Sequence, residues 1–273
     1  MNWNQFGYIC RVKSSKTLST EQKLQLCSES HLQIYKDNGS HSELAHNIAW
    51  QIAEDEETSQ KQTACYKNIP DLINEFKFEH KGWLIYLTAV FIIYCFTSQL
   101  YQSFVVPQFV EMYSSFSPSL SATFDYYLTY WYVPIMLLAL LLIIIVMAII
   151  KLKNASSLTT TTPFSGMYNI LLPRRLRNEY DALIAIIEFP YAYKKGFKAT
   201  TAETIHFEKC ESLGLELNDE FTVLLKQKLM SFNAMAKSYI NKLVILYGIV
   251  IVVSVYLFVK MAYQPIFMMG EVL

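Results

Sequence analysis

The chain has 273 residues, 53% of them hydrophobic, with 23 Lys+Arg set against 23 Asp+Glu. A formal net charge of zero excludes a global basic field that could gather nucleic acid, so any electrostatic partner has to meet a local patch. The mean hydropathy of +0.22 is high for a soluble protein, and the excess falls in three blocks.

Residues 1–81 read as a helical segment. Arg11, Lys13 and Lys16 have no apolar run after them, so this start is not a secretory signal. Ser19-Thr20-Glu21 opens a helix carrying Leu24, Leu26 and Leu32, with Asn38-Gly39 as its stop. Ser42 caps a second helix whose Leu44, Ile48, Ile52 and Ala53 form an apolar stripe. The acidic run Glu54-Asp55-Glu56-Glu57 reads as a solvated helix end. Pro70 opens a third helix, Asp71 to Phe78.

Gly82 to Val110 contains no charged residue, long enough for the roughly 20 apolar residues a crossing requires. The first span is expected at 82–106, followed by an outer loop at 107–128 that carries neither Lys nor Arg. The second span, 129–150, is almost pure Leu and Ile from Leu137 to Val146. Tyr126, Tyr127, Tyr130, Trp131 and Tyr132 cluster at its start, as an interfacial aromatic belt does. Residues 151–242 form a second helical segment. Asn154 to Thr162 is a loop ended by Pro163, and Arg174 to Phe189 is an amphipathic helix interrupted by Pro190. On one side of it lie Leu176, Tyr180, Leu183, Ile184 and Ile187. Thr201 to Cys210 and Asp219 to Lys242 complete the segment, with Phe221, Leu224, Leu225, Leu229 and Phe232 at helical spacing. The third span is 243–263, with Lys260 snorkelling outward, and 264–273 is an outer tail. No period-2 pattern competes anywhere, so the expected fold is all-α, with three transmembrane helices and two cytoplasmic helical-bundle domains.

Orientation follows from the flanking cations. Lys77 and Lys81 precede span one, Lys151 and Lys153 follow span two, and Lys237 and Lys242 precede span three. The N-terminus is therefore expected in the cytoplasm and the C-terminus on the far side. Cys10, Cys27, Cys65 and Cys210 then fall in cytoplasmic segments and Cys95 in a span, which suits reduced thiols.

Span one ends in Phe104-Val105-Val106-Pro107-Gln108-Phe109-Val110-Glu111-Met112, and span three ends in Tyr263-Gln264-Pro265-Ile266-Phe267-Met268-Met269-Gly270. Each places Pro-x-Phe just past a span, where proline stops or kinks the helix, and each follows a helical segment. This is a weak internal repeat. The stretch Val105, Val106, Pro107, Phe109 and Met112, continuing through Tyr113, Ser115 and Phe116, resembles the "VVPxFxxMFxxF" sequence of inner-membrane platform proteins. These serve bacterial type IV pilus assembly and type II secretion (the secretion F family). Pro265, Ile266 and Phe267 with Gly270 resemble that family's closing "PIFxxG". The order of helical domain, span, short loop, span, helical domain and span matches its plan, and its two related halves would account for the repeat. Close similarity covers about twenty residues. Residues 1–81 are shorter than the family's usual N-terminal domain. Cys210-Glu211-Ser212-Leu213-Gly214 is a degenerate trace of its Gly-Glu-x-x-Gly segment. The chain thus looks like a divergent or short member.

The resemblance implies a non-enzymatic scaffold in the bacterial inner membrane. Its partners would be a cytoplasmic assembly ATPase, pilin or pseudopilin subunits, other inner-membrane assembly components and further copies of itself. No cofactor, metal or nucleic acid is expected. P-loop glycines, a Gly-x-Ser-x-Gly elbow and His-Glu-x-x-His are missing from the sequence. His41 and His46 are five apart, the wrong spacing for two ligands on one helix turn, and His31, His80 and His206 stand alone. Span interiors lack Asp, Glu, Arg and His, which disfavours a small-solute transporter. Ser98 and Gln99 are expected to bond a neighbouring helix. Arg174, Arg175 and Arg177 form the densest basic cluster, at a helix start where positive charge opposes the macrodipole. Docking to an acidic partner or to anionic headgroups is one reading of them and an exposed helix start the other. A membrane-bound regulator stays open as the third functional reading.

Overall fold

The structure is a computed structural model that describes residues 1–35, 41–52, 56–76, 81–116, 122–159, 172–192 and 201–272. Among these residues every regular element is helical. The chain divides into two compact units, Met1–Glu79 with Ile150–Ser238 and His80–Ile149 with Tyr239–Leu273. The two helical segments that the sequence separates, 1–81 and 151–242, thus pack together in one unit rather than as two bundles.

The first unit is organised around α1 (Trp3–Ser14). Asn2 caps it, its side chain accepting from the Gln5 amide while the Gln5 side chain accepts from the Asn2 amide. Trp3, Phe6 and Cys10 are buried at helical spacing. Around it lie α2 (Thr20–Leu26), α4 (Glu43–Gln51), α5 (Glu56–Tyr66) and α6 (Ile69–Glu75). Ser19 caps α2 with a Gln22 capping box, but that helix ends at Leu26 and α3 (Glu29–Ile34) starts afresh. Leu24, which the expected helix carries, is 72% exposed. Its helix is short and mostly polar, so it lies on the surface. Ser42 caps α4 through the Ala45 amide, and Leu44, Ile48 and Ile52 are buried as their spacing predicts. Pro70 stands in the first turn of α6, where its missing N–H costs nothing. The expected stop at Asn38-Gly39, Ala53, the run's Glu54 and Asp55, and the loop from Thr160 through Pro163 lie outside the described residues.

The same unit continues with α11 (Arg174–Ala192) and α12 (Ala202–Ser212), the latter capped by Thr201. The 56-residue α13 (Leu217–Val272) gives its first part to this unit. Pro190 does not interrupt α11, which carries it two residues from its end. Leu176, Tyr180, Leu183, Ile184 and Ile187 are all buried, and Phe221, Leu225, Leu229 and Phe232 of α13 are buried too. Aromatic edges join the elements: Tyr66 meets Phe221 at 5.8 Å and Tyr180 meets Phe232 at 5.7 Å between ring centroids.

The second unit holds α7 (Lys81–Leu100), a π turn (Tyr101–Val105), α8 (Val106–Phe116), α9 (Ala122–Tyr130), most of α10 (Val133–Ser156) and the rest of α13. Three helices here are long and apolar enough to cross a membrane: Gly82–Met112, Leu128–Ser156 and Leu217–Gln264. Only 11% to 17% of each apolar window is buried within the chain. Leu87, Tyr94, Leu138, Ile145 and Tyr247 form the interior, while Ile85, Ile93, Leu140, Ile143 and Val252 face outward. That outward apolar surface has no stable solution in water and a natural one in lipid. Pro107 and Pro265 do not stop their helices. The Val106 amide bonds the Tyr101 carbonyl five residues back. This wider turn makes room for the Pro107 ring against the preceding turn.

Candidate functional site

Both motif segments lie on helices of the second unit. Val105 closes the π turn, Val106 is buried, Phe109 and Met112 are half-buried and Pro107 is exposed. Pro265, Ile266 and Phe267 are on α13, and Phe267 is 71% exposed. The two segments follow a shared contact. The Tyr101 hydroxyl donates to the Ala262 carbonyl at 3.1 Å, and the Tyr101 and Phe258 rings meet at 5.3 Å. Two turns earlier on α7, Tyr94 meets Phe258 at 6.5 Å and its hydroxyl lies beside Ser98 and Ser254. Contacts rise together along both helices, so spans one and three run parallel there. Each motif begins three or four residues beyond the Tyr101–Ala262 bond.

Ser98 and Gln99 split between two environments. Ser98 is buried towards Tyr94 and Ser254. Gln99 is exposed and bonds within its own helix, its Nε2 donating to Ser103 Oγ at 3.2 Å. Within the chain neither side chain shows the expected bond to a neighbouring helix: Ser98 lies beside Tyr94 of its own helix, and Gln99 bonds Ser103 of its own helix.

Arg174, Arg175 and Arg177 occupy the first turn of α11, which contains no acidic residue to offset them. Arg174 and Arg175 are exposed and Arg177 is half-buried, while Leu176 between them is in the core. The helix start is held instead by the Pro173 carbonyl, which accepts from the Leu176 amide at 3.0 Å and the Arg177 amide at 3.3 Å. Further along α11, Glu179 meets Lys228 of α13 at 3.5 Å, and Lys228 also meets Glu203 of α12 at 2.7 Å. A hydrogen bond from Lys228 holds the Glu203 carboxyl below its usual range. Desolvation alone would lower Lys228, but Glu203 and Glu179 outweigh it and raise it. These ions tie three helices together.

A cleft of about 650 Å³ opens on the first unit between the ends of α1, α5, α11 and the α12–α13 turn. Lys16, Lys61, Glu211, Glu216 and Asn218 contribute to its lining. Gly214 takes the turn there at φ +81°, a conformation glycine adopts without cost. Nearby, burial pushes the Cys65 thiol up to about 12, so it is no nucleophile at neutral pH. His206 Nε2 lies 3.0 Å from Glu220 Oε1 and 3.4 Å from Cys210 Sγ. Both partners meet the same ring nitrogen, so this imidazole cannot relay a proton between them as a catalytic triad requires. Among the described residues no three His, Cys, Asp or Glu side chains group closely enough to hold a metal. The His41 and His46 rings lie 6.2 Å apart, tilted at 53°.

Sequence reasoning missed α1 and α5, and with them one wall of the cleft. The signal for α1 was present in Asn2-x-x-Gln5 and in the spacing of Trp3, Phe6 and Cys10. No protein-family model, curated protein or solved structure matches this chain.

Proposed function

We propose that this chain is a non-enzymatic inner-membrane scaffold of a pilus-assembly or protein-secretion machine, a divergent or short relative of the platform proteins. Its first unit would face the cytoplasm and meet an assembly ATPase. Its spans would form the base from which pilin or pseudopilin subunits leave the bilayer. The carrying observation is the position of the two family-like segments. Val105 to Met112 and Pro265 to Phe267 each follow directly on the Tyr101–Ala262 contact between spans one and three. An arrangement of two related halves would produce such a pairing. The flanking cations support a cytoplasmic N-terminus and a periplasmic C-terminus. Arg174, Arg175 and Arg177 offer a basic helix start for an acidic face of the ATPase.

Native membranes carrying a tagged copy would be crosslinked, gently extracted and read by mass spectrometry. Recovery of a hexameric secretion-type ATPase or of pilin-like subunits supports the scaffold. Recovery of itself alone, in cells that still build pili and secrete without the gene, removes it.

A membrane-bound regulator is the second reading, favoured by the cleft beside α5 and α11, which is of a size to take a small ligand. A ligand-dependent response without any pilus or secretion defect would select it. Substrate uptake into vesicles would select a transporter instead, a reading the uncharged span interiors oppose.

A further inference from the structure

A file of polar side chains lies inside the three-span unit. Tyr94, Ser98 and Gln102 recur every four residues on α7, so they share one face. Tyr247 and Ser254 are seven apart on α13 and share another. Tyr94, Ser98, Ser254 and Tyr247 are buried, and Gln102 is half-buried. The two faces meet: the Tyr94 hydroxyl lies beside Ser98 and Ser254, and Tyr94 and Tyr247 belong to one buried cluster. A buried polar atom ordinarily has a hydrogen bond. Among the described residues Ser98 Oγ, Gln102 Oε1 and the Tyr247 hydroxyl are buried and have none. Thr88 and Thr97 of the same helix show the usual remedy. Their hydroxyls donate to the Leu84 and Ile93 carbonyls at 2.8 and 2.9 Å. Ser98 closes no such bond with its own helix. An orphaned oxygen in a dry interior is costly, and three along one seam call for a shared partner.

Lys260 fixes the depth of the seam. The Tyr101–Ala262 bond sets Ser98 and Gln99 level with Val259 and Lys260. The exposed lysine holds that level near a membrane surface. Gln102 and Ser98 therefore mark the end of the seam nearest water. From Lys260, Ser254 is six residues inward, about 9 Å, and Tyr247 is thirteen, about 20 Å. The wider π turn, Tyr101–Val105, stands at the same end. We infer that a file of bound water enters the spans here, passing Gln102 and Ser98 to reach Tyr94, Ser254 and Tyr247. Water suits these atoms because it donates and accepts at once. The serine and tyrosine hydroxyls do both, and Gln102 Oε1 accepts. A buried water needs two to four polar partners, and neighbouring members of the file supply them. Lipid tails and apolar side chains supply none. Spans one and three thus meet across a hydrated seam, while their outward faces are dry.

The inference rests on the membrane placement of the spans and is independent of the scaffold reading, so each can fail alone. The full chain would be reconstituted into phosphatidylcholine vesicles and pulsed with X-rays. Radiolysis turns water into hydroxyl radicals where it stands, and these oxidise the side chains they touch. Tandem mass spectrometry of the peptides reads each site. Tyr94 and Tyr247 should be oxidised although they are buried. Phe96 is 65% exposed and lies between Tyr94 and Ser98 along the helix, yet it faces lipid and should stay unmodified. Ser254→Val removes one hydroxyl from the file at nearly constant size, so oxidation at Tyr247, deeper along the seam, should be lost. Thr97→Val, on the exposed face, should keep the wild-type pattern. Circular dichroism checks that both variants retain their helicity. Tyr94 and Tyr247 oxidised no more than Phe96, or an undiminished yield at Tyr247 in Ser254→Val, would each overturn the inference.

Discussion

Gly7 of α1 and Pro70 of α6 touch so closely that a methyl group at Gly7 would overlap the proline ring. The ring is rigid and belongs to a buried first turn, so it cannot swing aside as a long side chain would. Gly7→Ala gains helix propensity, worth about 1 kcal/mol, but must push α1 and α6 apart. Overpacking of this kind costs about 1–3 kcal/mol, and the ring contact puts this site at the upper end. The variant should melt lower than wild type in detergent by circular dichroism. An equal or higher melting temperature would mean that the two helices are not held at this distance.

The turn that follows α10 gives a second prediction. Leu158 has φ +49°, a left-handed conformation that a branched residue adopts at a cost. Its carbonyl accepts from the Trp3 indole at 3.2 Å and from the Ser42 hydroxyl at 2.9 Å, and the same indole reaches the Ser157 carbonyl at 3.1 Å. The Glu43 amide bonds the Thr159 carbonyl at 2.9 Å. Donors from α1 and α4 thus hold the turn in place. Trp3→Phe keeps the aromatic packing against Phe6 but removes the indole donor. It should lower stability by about 1–2 kcal/mol, measured by denaturant unfolding. No change would show that the turn keeps its shape without the indole.

How far these features could be read in the sequence differs by element. Span one, span two and the buried faces of α11 and α13 were legible because they repeat: an apolar run or a 3.6-residue period is a local property. Leu176, Tyr180, Leu183 and Ile187 needed no tertiary knowledge. The merging of 1–81 with 151–242 was not legible, because its contacts span 120 to 160 residues. Tyr66 donates to the Ile187 carbonyl at 2.8 Å and Asn233 to the Phe76 carbonyl at 2.7 Å. Nothing local in Tyr66 or Asn233 announces such partners. Pro107, read as stopping or kinking its helix, does not stop it, for a different reason. A proline in a helix interior normally breaks the ladder, and the π turn that accommodates it has no sequence signature of its own. Of the candidate site, the arginines were correctly read as a basic helix start. The cleft could not be foreseen, since it is formed where four separate chain segments meet.

Cysteine chemistry provides a third prediction. Burial pushes the Cys10 thiol far above its usual range and Cys65 up to about 12, while at the half-exposed Cys27 the burial that raises the thiol is only partial. Thiolate is the reactive form, and a buried thiol is also out of reach. In the folded protein at pH 8, iodoacetamide should therefore modify Cys27 well before Cys10 or Cys65. Denaturant should equalise the three, as followed by peptide mass spectrometry. Early labelling of Cys10 would mean that α1 is not seated in its core.

The Lys228 ion cluster makes stability depend on pH at both ends. Glu203 is held low by Lys228, so its contribution is present above the unfolded carboxylate value of 4.5 and is lost as pH falls through the lower folded value. Lys228 is held high, so its contribution is present below 10.5 and is lost as pH rises through the higher folded value. Glu188 acts in the opposite sense: burial raises it, so protonation on the acid side relieves a cost rather than removing a benefit. Side chains of Lys228 and Glu203 keep 21% and 19% of their surface in solvent, which places the pair between an exposed and a buried bridge. Glu203→Gln should therefore cost about 1–2 kcal/mol at neutral pH. The cost should shrink as pH falls below 4.5 and through the lower folded value, as wild type loses the charge as well. Parallel denaturant titrations of both proteins from pH 3 to pH 8 test this. A difference that stays constant across that range would mean that Glu203 acts through packing and that its charge contributes nothing.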